Sequence, residues 1–525
     1  MVAGYWRNDD IEKHSEPMEA EWDEVKYILT GQATFLDLNA NINVQVTAGD
    51  MLWIPKGSRS VITSSRNLTA VYVEQTYRDI VDQNVVDSGS TCSSSKVPIE
   101  RPSLIDVLAR LQEQYVESNP KSRDAHAQAC KHLPGGNTRS VLHMNPFPMS
   151  IASGRGCYVT SLDGRDYLDL VAEYTAGVLG HSHLAIQRAI LNATAVGVHL
   201  GATNEYEIEL AQHLTSRFKS IEKVRFCNSG TESNMLALAV AKHYTKRSNI
   251  LVFRNGYHGS TLDFHEDNSP LNLPHDYILA NYNDIQSVNA QISSESRSDS
   301  LAAILVEPMQ AAGGMIPATK EFLAFLRRTA DDTGAVLIFD EVVTSRLHFG
   351  GMQEYHGVYP DMTTLGKWIG GGFSFGAFGG REDIMTKLDP RTSPKEGGIS
   401  HPGTFNNNVF SMAAGAAACT TLTAQKIQDV NVLGEDLRSR LRALLLLQGP
   451  RANRMILQVT GFGSLTGLHF SGPQAGTLRD VFFFHMLKRG IYVGKRGFLN
   501  LTIMHDQRHV DQVVDAAKEF AELYL

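Results

Sequence analysis

The chain has 525 residues, more than one hydrophobic core usually supports, so we expect two or more folding units. Hydrophobic residues make up 42% and charged residues 20%, as in ordinary globular proteins, and a net charge of −8 argues against nucleic acid or an anionic membrane as a partner. The sequence contains no run of 18 apolar residues and no export signal, and its five cysteines are scattered, so we expect a cytoplasmic protein without membrane spans, disulfides or a cysteine-based zinc site.

Residues 1–77 are predicted to form a small all-β unit. Short apolar runs alternate with turn signals such as Gly31 and Gly49-Asp50, a pattern typical of a small barrel or jelly roll. The runs are Val25–Leu29, Ala33–Leu38, Asn43–Val46, Met51–Ile54 and Thr69–Val73. Residues 78–102 lose this periodicity and include the serine-rich stretch 88–95, so we expect a flexible linker there.

From residue 103 to residue 525 the pattern changes to alternating helices and strands. Leu104–Tyr115 and Val481–Leu487 have the apolar spacing of helices, and Phe498–Ile503 is predicted to be a strand. Four short apolar runs are predicted to be buried parallel strands joined by crossover helices: Val224–Cys227, Ile250–Phe253, Ala302–Val306 and Ala335–Phe339. Ligands of open α/β sheets bind beyond the carboxyl ends of the strands, so the polar clusters that follow these runs are expected to form the site.

Two of these clusters have the residue types that bind a phosphorylated ring. Ser229-Gly230-Thr231 precedes a helical stretch, where backbone N–H groups and the positive end of the helix dipole attract a phosphate. An ordinary helix cap would explain the same residues, and both interpretations are open at this point. Tyr257 stands among glycines after the second run, where it would either stack on a cofactor ring or lie in an exposed turn.

Asp340 and Lys367 follow later parts of the same pattern. A carboxylate at the end of a buried strand is costly without a cationic partner, which a protonated pyridine nitrogen would supply; a helix cap or a salt bridge is the alternative. Lys367 lies between Gly366 and the run Gly370–Gly372, where the backbone must approach another group closely. Desolvation there would lower the lysine pKa and free its amine to form an imine, whereas an ordinary lysine would be a solvated surface charge.

The order and spacing of the motifs carry a family resemblance. The motifs are Ser229–Glu232, Gly256–Gly259, Glu307–Gln310, Phe339–Val342, Gly366-Lys367 and Gly403–Asn407. Together they resemble the class III pyridoxal-5′-phosphate (PLP) dependent aminotransferases, especially the β-phenylalanine aminotransferases and the glutamate-1-semialdehyde aminomutase branch. The resemblance implies the α/β PLP-dependent transferase fold type I, with a mostly parallel sheet in a large part (about 166–416) and a smaller α+β part (about 103–165 and 417–525).

The resemblance also implies a role for each residue around the cofactor ring. Lys367 would carry pyridoxal 5′-phosphate as a Schiff base and shuttle protons, and Asp340 would bind the pyridinium nitrogen. Tyr257 would stack on one face of the ring and Val342 would press on the other. Gln310 would reach the ring hydroxyl.

For the phosphate, the resemblance implies a cup formed by Ser229, Gly230 and Thr231. Thr404 resembles a threonine that reaches the phosphate of the neighbouring subunit's cofactor. A homodimer with active sites at the subunit interface is therefore expected.

Two arginines outside these motifs are candidates for binding substrate carboxylates. Arg139 and Arg496 match arginines of the β-phenylalanine aminotransferases, one for the carboxylate of the β-amino acid and the other for that of the acceptor. The alternatives are a phosphate-adjacent or surface arginine at 139 and an interface salt bridge at 496. Glu173 and Tyr174 match the same group and are expected to line the pocket.

Residues 16–77 resemble a cupin, a barrel that often binds a metal through histidines. Met18, Ala20 and Ser60 stand at the positions of the imidazoles, and only Glu24 remains as a ligand. We therefore expect a metal-free barrel. It would stabilise the dimer, sense a ligand or cover the mouth of the active site, and the sequence leaves these alternatives open.

Three functions are compatible with the sequence. The first is a ping-pong aminotransferase that takes an amino group from a small-molecule donor, an aromatic or similar β-amino acid, and passes it to a keto-acid acceptor such as 2-oxoglutarate. The second is an aminomutase, which needs no external acceptor. The third is a non-enzymatic ligand sensor, which the presence of both Lys367 and Asp340 disfavours.

Overall fold

The computed structural model describes residues 2–8, 18–19, 24–74, 103–198, 200–265, 269–293, 298–446 and 457–525. The chain divides into two compact units, one formed by Met1–Glu100 and the other by Arg101–Leu447 together with Met455–Tyr524. Within the described ranges, no helix is both long and apolar enough to cross a membrane.

The described strands of the N-terminal unit form one six-stranded antiparallel sheet. They are β1 (Val2–Asn8), β2 (Met18–Glu19), β3 (Glu24–Asp37), β4 (Ile42–Thr47), β5 (Met51–Ile54) and β6 (Arg59–Glu74). The order is β1-β6-β3-β4, with β2 paired to β6 and β5 paired to β3. Ile28, Phe35, Ile62 and Leu68 form the centre of its apolar core.

The turn predicted at Gly31 is instead a bulge within one long strand, β3. Gly31 has a φ of 79°, and a Cβ at this position would lie 2.3 Å from the carbonyl oxygen of Asn67. The register between β3 and β6 shifts between Ile28 and Thr30 and again between Thr30 and Gln32. A glycine in the left-handed region with a register shift is typical of a β-bulge, so the runs on either side of it belong to the same strand.

The second unit contains the remaining strands and the described helices. Its strands are β7 (Ile151–Arg155), β8 (Tyr158–Ser161), β9 (Asp166–Asp169), β10 (Lys223–Cys227), β11 (Asn249–Phe253), β12 (Asp276–Ala280), β13 (Leu301–Val306), β14 (Met309–Gln310), β15 (Ile316–Pro317), β16 (Val336–Asp340), β17 (Met362–Gly366), β18 (Gly376–Gly380), β19 (Leu457–Phe462), β20 (Leu465–Phe470), β21 (Ile491–Tyr492) and β22 (Phe498–Asn500). Its α-helices are α1 (Leu104–Ser118), α2 (Pro120–Ala129), α3 (Leu184–Val196), α4 (Glu205–Arg217), α5 (Gly230–Thr245), α6 (Ile285–Ile292), α7 (Lys320–Thr333), α8 (Gly351–His356), α9 (Glu382–Met385), α10 (Val409–Thr421), α11 (Ala424–Leu446), α12 (Ala475–Lys488) and α13 (Gln507–Tyr524).

A seven-stranded sheet in the order β10-β18-β17-β16-β13-β11-β12 forms the centre of this unit. All four predicted apolar runs are strands in it, and β17, β16, β13, β11 and β12 pair in parallel. The strand β18 runs antiparallel to both β10 and β17. The sequence pattern does not predict β18, because its residues Gly-Ala-Phe-Gly-Gly contain no continuous apolar run. The expected mostly parallel sheet is confirmed.

Helices cover both faces of the sheet, which explains why its strands are apolar along their whole length. On one face α5 packs through Ala237, Leu238 and Ala241. On the other face α7 packs through Phe322 and Leu326. The sheet is thus an inner layer whose central strands β13, β16 and β17 are buried along their whole length.

Three smaller sheets belong to the described part of this unit: β21-β9-β8-β7, β19-β20-β22 and the two-stranded β14-β15. The strand predicted over Phe498–Ile503 ends at Asn500. Beyond it, the carbonyl oxygen of Leu501 accepts a hydrogen bond from the side chain of Arg346, so this carbonyl is engaged by a side chain rather than by a neighbouring strand.

Candidate active site

Four of the residues predicted to bind the cofactor lie at one edge of the seven-stranded sheet. Asp340 ends β16, and Lys367 directly follows β17. Ser229 follows β10, and Tyr257 follows β11. These four strands run in the same direction, so their carboxyl ends meet at this edge.

The carboxylate of Asp340 is buried and fixed from two sides. Its Oδ2 accepts a hydrogen bond from Asn234 Nδ2 at 2.8 Å and lies 2.8 Å from His258 Nδ1. Its Oδ1 accepts from the backbone N–H of Val342 at 3.0 Å. Thr364 Oγ1 in turn donates to Asn234 Oδ1 at 2.6 Å, which orients the amide toward Asp340. The arrangement holds a negative charge in place at the floor of the site.

Sequence analysis missed Asn234 and His258 as partners of Asp340. Both belong to polar segments that follow buried strands, and both are almost fully buried in the structure. Asn234 lies one turn beyond Gly230 on α5, so its side chain faces the same strand ends as the start of the helix. That helical spacing was the available signal for Asn234.

Glu307 is a further buried carboxylate beside this cluster. It accepts hydrogen bonds from the backbone N–H groups of Tyr257 at 3.0 Å and Ala311 at 3.1 Å. Burial raises the pKa of Glu307 to about 7, while nearby His258 lowers it and Asp340 raises it further. The backbone of Tyr257 is thereby tied to the buried cluster while its ring is partly exposed.

Lys367 has a left-handed backbone with a φ of 52°, a strained conformation for a residue with a side chain. The neighbouring Trp368 is buried, and its Nε1 donates to Ser345 Oγ at 2.9 Å. Burial lowers the pKa of the Lys367 amine, and the negative charges of Asp340 and Glu307 oppose this effect. The Lys367 amine therefore loses its proton more easily than the amine of a solvated lysine.

The start of α5 is closely packed against the strands beside it. Ser229 caps the helix, since its Oγ accepts from the backbone N–H of Glu232 at 3.1 Å. A Cβ at Gly230 would lie 2.9 Å from Val342 Cγ1, and a Cβ at Gly259 would lie 2.2 Å from Thr231 Oγ1. The cap interpretation therefore holds for the Ser229 side chain, while the helix N-terminus beside Thr231 remains suited to a phosphate.

Gln310 and Thr404 differ in their positions, since Gln310 is buried and Thr404 is exposed. Gln310 is buried, and its Nε2 donates to the carbonyl oxygen of Arg254 at 2.8 Å. Thr404 is exposed on the loop before α10. Two residues later, Asn406 Oδ1 accepts from Asn228 Nδ2 at 3.1 Å, which anchors this loop next to the start of α5 in the same chain.

Three of the four substrate-site candidates form a second cluster, in which Arg139 and Glu173 are exposed and Tyr174 is half-buried. Arg139 forms an ion pair with Glu173, and its guanidinium lies 4.9 Å above the ring of Tyr174. Burial raises the pKa of the Tyr174 hydroxyl, and the charges of Arg139 and Arg496 oppose this. The same two charges act on Tyr257, and the charge of Arg139 also acts on Lys367. The charge of Arg139 thus acts on Tyr174, Tyr257 and Lys367, and that of Arg496 acts on the two tyrosines.

The residues present fit PLP. Gly230 and Gly366 leave a cradle against Val342 that a Cβ would narrow, since it would lie 2.9 Å and 3.3 Å from Val342 Cγ1 at the two positions. The buried carboxylate of Asp340 suits a protonated ring nitrogen, and a lysine of lowered pKa suits covalent attachment to an aldehyde.

Comparison with known proteins agrees with this chemistry. The family model of class III aminotransferases matches residues 140–518. The β-phenylalanine transaminase of Variovorax paradoxus is 44% identical over 424 residues, which are 79% of this chain and 95% of that protein. A crystal structure of a β-phenylalanine aminotransferase from the same organism superposes with a TM-score of 0.75 at 43% identity, covering 80% of this chain and 97% of that one.

A glutamate-1-semialdehyde aminomutase from Pseudomonas aeruginosa shares the fold, with a TM-score of 0.72 at 22% identity, covering 80% of this chain and 98% of that one.

Proposed function

Because the chain belongs to the class III aminotransferases, we propose that it takes its amino group from a β-amino acid and passes it to a keto acid such as 2-oxoglutarate. The enzyme is a PLP-dependent transaminase, so a small-molecule amino donor and a keto acid are its substrates. The observation that carries the finer proposal is the Arg139 guanidinium, which pairs with Glu173 and lies over the ring of Tyr174, with the charge of Arg496 acting on the same Tyr174. Donor and acceptor each bring a carboxylate, and a fork of N–H donors is its natural partner.

Around the cofactor, we propose that Lys367 provides covalent attachment and then moves the proton. When bound, PLP supplies an electron sink next to the amine-bearing carbon of the substrate. The Lys367 amine, whose pKa burial lowers, would accept the proton from that carbon and hand it back. Asp340, held by Asn234 and His258, would be the anionic partner of the protonated ring nitrogen.

The other cofactor contacts follow from the same geometry. The N-terminus of α5, with Ser229, Gly230 and Thr231, would hold the phosphate. Val342 would press on one face of the ring, because it already closes the cradle of Gly230 and Gly366. We propose the other face for Tyr257 and the ring hydroxyl for Gln310.

On the substrate side, the name of the V. paradoxus relative favours a donor whose amine is β to the carboxylate. Glu173 and Tyr174 hold Arg139 between an ion pair and an aromatic face, so its guanidinium has a defined direction. Arg496 is exposed on the turn before β22. We propose that each arginine binds the carboxylate of a different substrate.

The experiment that tests this function separates a transaminase from an aminomutase. The enzyme is incubated with 3-amino-3-phenylpropanoate, with and without 2-oxoglutarate, and glutamate is measured. We expect glutamate formation that depends on both substrates, with α-phenylalanine as a control donor of lower kcat/KM. Turnover of a donor without any keto acid would instead establish an aminomutase. At 22% identity the aminomutase structure supports the common fold only.

We further propose a homodimer in which Thr404 completes the phosphate site of the partner subunit. Its exposure and that of Phe405 beside it leave both side chains free for an interface. The bond between Asn406 and Asn228 supports the opposite view, in which the loop serves its own subunit. The two views predict different results when protomers are mixed.

The test combines a Lys367→Ala protomer with a Thr404→Ala protomer under conditions of subunit exchange. If the site is shared, the heterodimer contains one fully native site, and activity rises above that of either parent. The absence of any rise after exchange has been verified by mass spectrometry would assign Thr404 to its own subunit.

For the N-terminal region we propose a metal-free, cupin-like barrel over residues 1–77, a linker over 78–102 and the transaminase domain over 103–525. The antiparallel pairing of β3 to β6 supports the barrel. Met18 pairs in register with Ser60, so two of the expected ligand positions are neighbours that carry no imidazole. Ala20 and the Glu24 side chain lie outside the described part of the structure. The cytoplasmic location stays a prediction.

A further inference from the structure

Four consecutive residues beside the substrate cluster adopt left-handed backbone angles. Ala172, Glu173, Tyr174 and Thr175 have φ values of 47°, 48°, 50° and 81°. Residues with a Cβ disfavour this region because the Cβ crowds the following carbonyl oxygen. Four such residues in a row, hereafter the left-handed turn, persist only if the surrounding structure holds them.

The turn determines where two of the substrate-site side chains point. Glu173 and Tyr174 lie at its centre, and they are the residues that pair with and stack under Arg139. If the turn relaxed to ordinary angles, both side chains would leave Arg139. The direction of the Arg139 guanidinium therefore depends on the backbone of the left-handed turn.

The start of the turn is held by local hydrogen bonds and by one from Asn500, far along the chain. Asp169 Oδ1 accepts from the backbone N–H groups of Val171 at 2.8 Å and Ala172 at 3.2 Å. Asn500 Nδ2 donates to the carbonyl oxygen of Val171 at 2.9 Å. The carbonyl oxygen of Ala172 accepts from the N–H of Gly177 at 2.9 Å.

The far end of the turn is held by Arg346. Its Nη1 donates to the carbonyl oxygen of Thr175 at 2.9 Å, and its Nη2 donates to Ser464 Oγ at 3.3 Å and to the carbonyl oxygen of Leu501. Arg346 is completely buried and, among the described residues, forms no ion pair with a carboxylate. It belongs to the short 3-10 helix Thr344–Arg346 that follows Asp340 closely in the chain.

A buried guanidinium without a carboxylate is expensive, because desolvation is not offset by an opposite charge. The guanidinium group is rigid and planar, however, so it can hold several hydrogen-bond acceptors at defined angles at the same time. The three acceptors of Arg346 come from three separate segments: the left-handed turn, the β19–β20 hairpin and the residue after β22. Arg346 therefore connects the turn to the framework that follows Asp340.

We propose that Arg346 is a positioning residue for substrate recognition: by holding the Thr175 carbonyl it maintains the left-handed turn and so orients Glu173 and Tyr174 around Arg139. This inference rests on the proposed role of Arg139 as a carboxylate ligand. Arg346 itself touches neither substrate nor cofactor. Its effect is expected on the recognition of one substrate and not on the chemistry at Lys367.

The control is Arg438, a second buried arginine that donates to backbone carbonyls, those of Gly463 and Leu465, and that also forms an ion pair with Glu435. Arg438 makes no described hydrogen bond to the left-handed turn. Arg346→Lys and Arg438→Lys each retain a positive charge and lose the planar fork. If Arg346 were merely structural, Arg346→Lys would loosen the turn or lower stability without a selective rise in the KM of one substrate.

The experiment measures the holoenzyme in two ways. Hydrogen–deuterium exchange should be faster in the peptide that covers residues 170–177 of Arg346→Lys, and unchanged in that peptide of Arg438→Lys. In steady-state kinetics, Arg346→Lys should raise the KM of one substrate about tenfold, as expected when a charged hydrogen bond is lost. This should be the same substrate whose KM rises in Arg139→Lys, while the absorption band of the bound cofactor stays at its wild-type position.

Suppose that exchange at 170–177 is faster in Arg346→Lys, but that neither Arg346→Lys nor Arg139→Lys raises the KM of one substrate selectively. Arg346 would then still hold the left-handed turn, and the role of Arg139 in carboxylate binding would be rejected. A selective rise in KM in Arg139→Lys alone, or unchanged exchange at 170–177, would overturn the inference about Arg346. If Arg346→Lys does not fold, Ser464→Ala removes one acceptor of the same guanidinium. It should raise the same KM about threefold, corresponding to one weak hydrogen bond, and an unchanged KM would overturn the inference.

Discussion

The proposed cofactor side and the proposed substrate side of the candidate active site are built in opposite ways. Around the cofactor, Asp340, His258 and Glu307 are 3–5% exposed and sit at or just beyond the ends of strands. Around the substrate, the side chains of Arg139 and Glu173 are 44% and 60% exposed and lie on loops. The first group is fixed by the sheet, whereas the second is fixed by an ion pair and a strained turn.

This difference separates reaction from recognition. A buried, fully hydrogen-bonded carboxylate changes little when the surface changes, so the cofactor chemistry is robust. An exposed ion pair contributes little stability and is easily rearranged, so the substrate preference can change without harm to the fold. We therefore expect substitutions on the cofactor side to abolish the reaction and those on the substrate side to redirect it.

The largest effect is expected at Lys367. Lys367→Ala removes the attachment point and the proton carrier, so kcat/KM should fall by roughly 10⁴-fold or more. Borohydride reduction of wild-type holoenzyme should fix the cofactor to Lys367, as detected by peptide mass spectrometry. The exposed Lys395 is the control, and Lys395→Ala should retain activity. A cofactor adduct on Lys395 or Lys495 would refute the assignment.

Asp340 should have the next largest effect. Asp340→Asn keeps the shape but removes the negative charge held by Asn234 and His258, so kcat should fall about 10³-fold. The absorption spectrum of the bound cofactor should shift as well, because the ring nitrogen loses its anionic partner. If Asp340→Asn retained the wild-type kcat, a residue other than Asp340 would have to keep the cofactor ring electron-withdrawing. Substitutions on the buried cofactor side would then not be more damaging than those on the substrate side.

The substrate side should respond selectively. Arg139→Ala and Arg496→Ala are each expected to cost roughly 2–4 kcal/mol in kcat/KM for one substrate and far less for the other. The two half-reactions, followed separately by the cofactor spectrum, identify which substrate is affected. Similar small losses in both half-reactions would mean that the arginines are structural and that recognition lies in other residues.

On the buried cofactor side, Glu307 should make the free energy of unfolding depend on pH. The pKa of Glu307 is about 7 in the folded enzyme against an ordinary 4.5, so the folded state retains a proton that the unfolded state loses in this range. The stabilisation is therefore complete below pH 4.5 and is lost as the pH rises through 7. Relative to Glu307→Gln, the wild-type free energy of unfolding should fall by about 2 kcal/mol between pH 5 and pH 8.

Urea denaturation of both proteins at the two pH values measures this difference. The comparison is made on the change with pH, because the amide also alters the hydrogen bonds from Tyr257 and Ala311. A difference that stays constant with pH would show that Glu307 is ionised at pH 5 in the folded enzyme.

The smallest effect, none at all, is expected from metal removal. Treatment with EDTA should leave kcat/KM unchanged, because both sides of the site are explained without a metal and the cupin positions lack imidazoles. Elemental analysis of the full chain checks this directly. A stoichiometric iron, zinc or manganese ion would show that the N-terminal unit binds a metal through other residues.

The sheet could be predicted from sequence where burial on both faces produced continuous apolar runs, as in β13 and β16. The sequence did not predict β18, because a strand made largely of glycine carries no hydrophobic signal. In the N-terminal sheet, the predicted turn at Gly31 was wrong, because glycine is typical of both a bulge and a turn. In both cases tertiary contacts, which local patterns do not contain, determined the backbone.

The site could be predicted mostly from motifs at strand ends, and the partners of those residues could not. Asp340 stands in a recognisable position, but its bond to Asn234 joins segments far apart in the chain. The left-handed turn at 172–175 was beyond prediction, since Ala, Glu, Tyr and Thr all disfavour positive φ. Local hydrogen bonds with Asp169 and Gly177 stabilise it together with the long-range contact of Arg346.

The glycines of β18 constrain how this enzyme can vary. A Cβ at Gly376 would lie 2.1 Å from the carbonyl oxygen of Ser229, and one at Gly380 would lie 2.4 Å from that of Asp361. Gly376 pairs with Cys227 of β10 on one side and with Gly366 of β17 on the other. Because Gly376 has no side chain, it sets the distance between the start of α5 and the end of β17, which precedes Lys367. In a saturation library, we expect these positions to tolerate fewer substitutions than the exposed Arg139 and Glu173, although their glycines take no part in the chemistry.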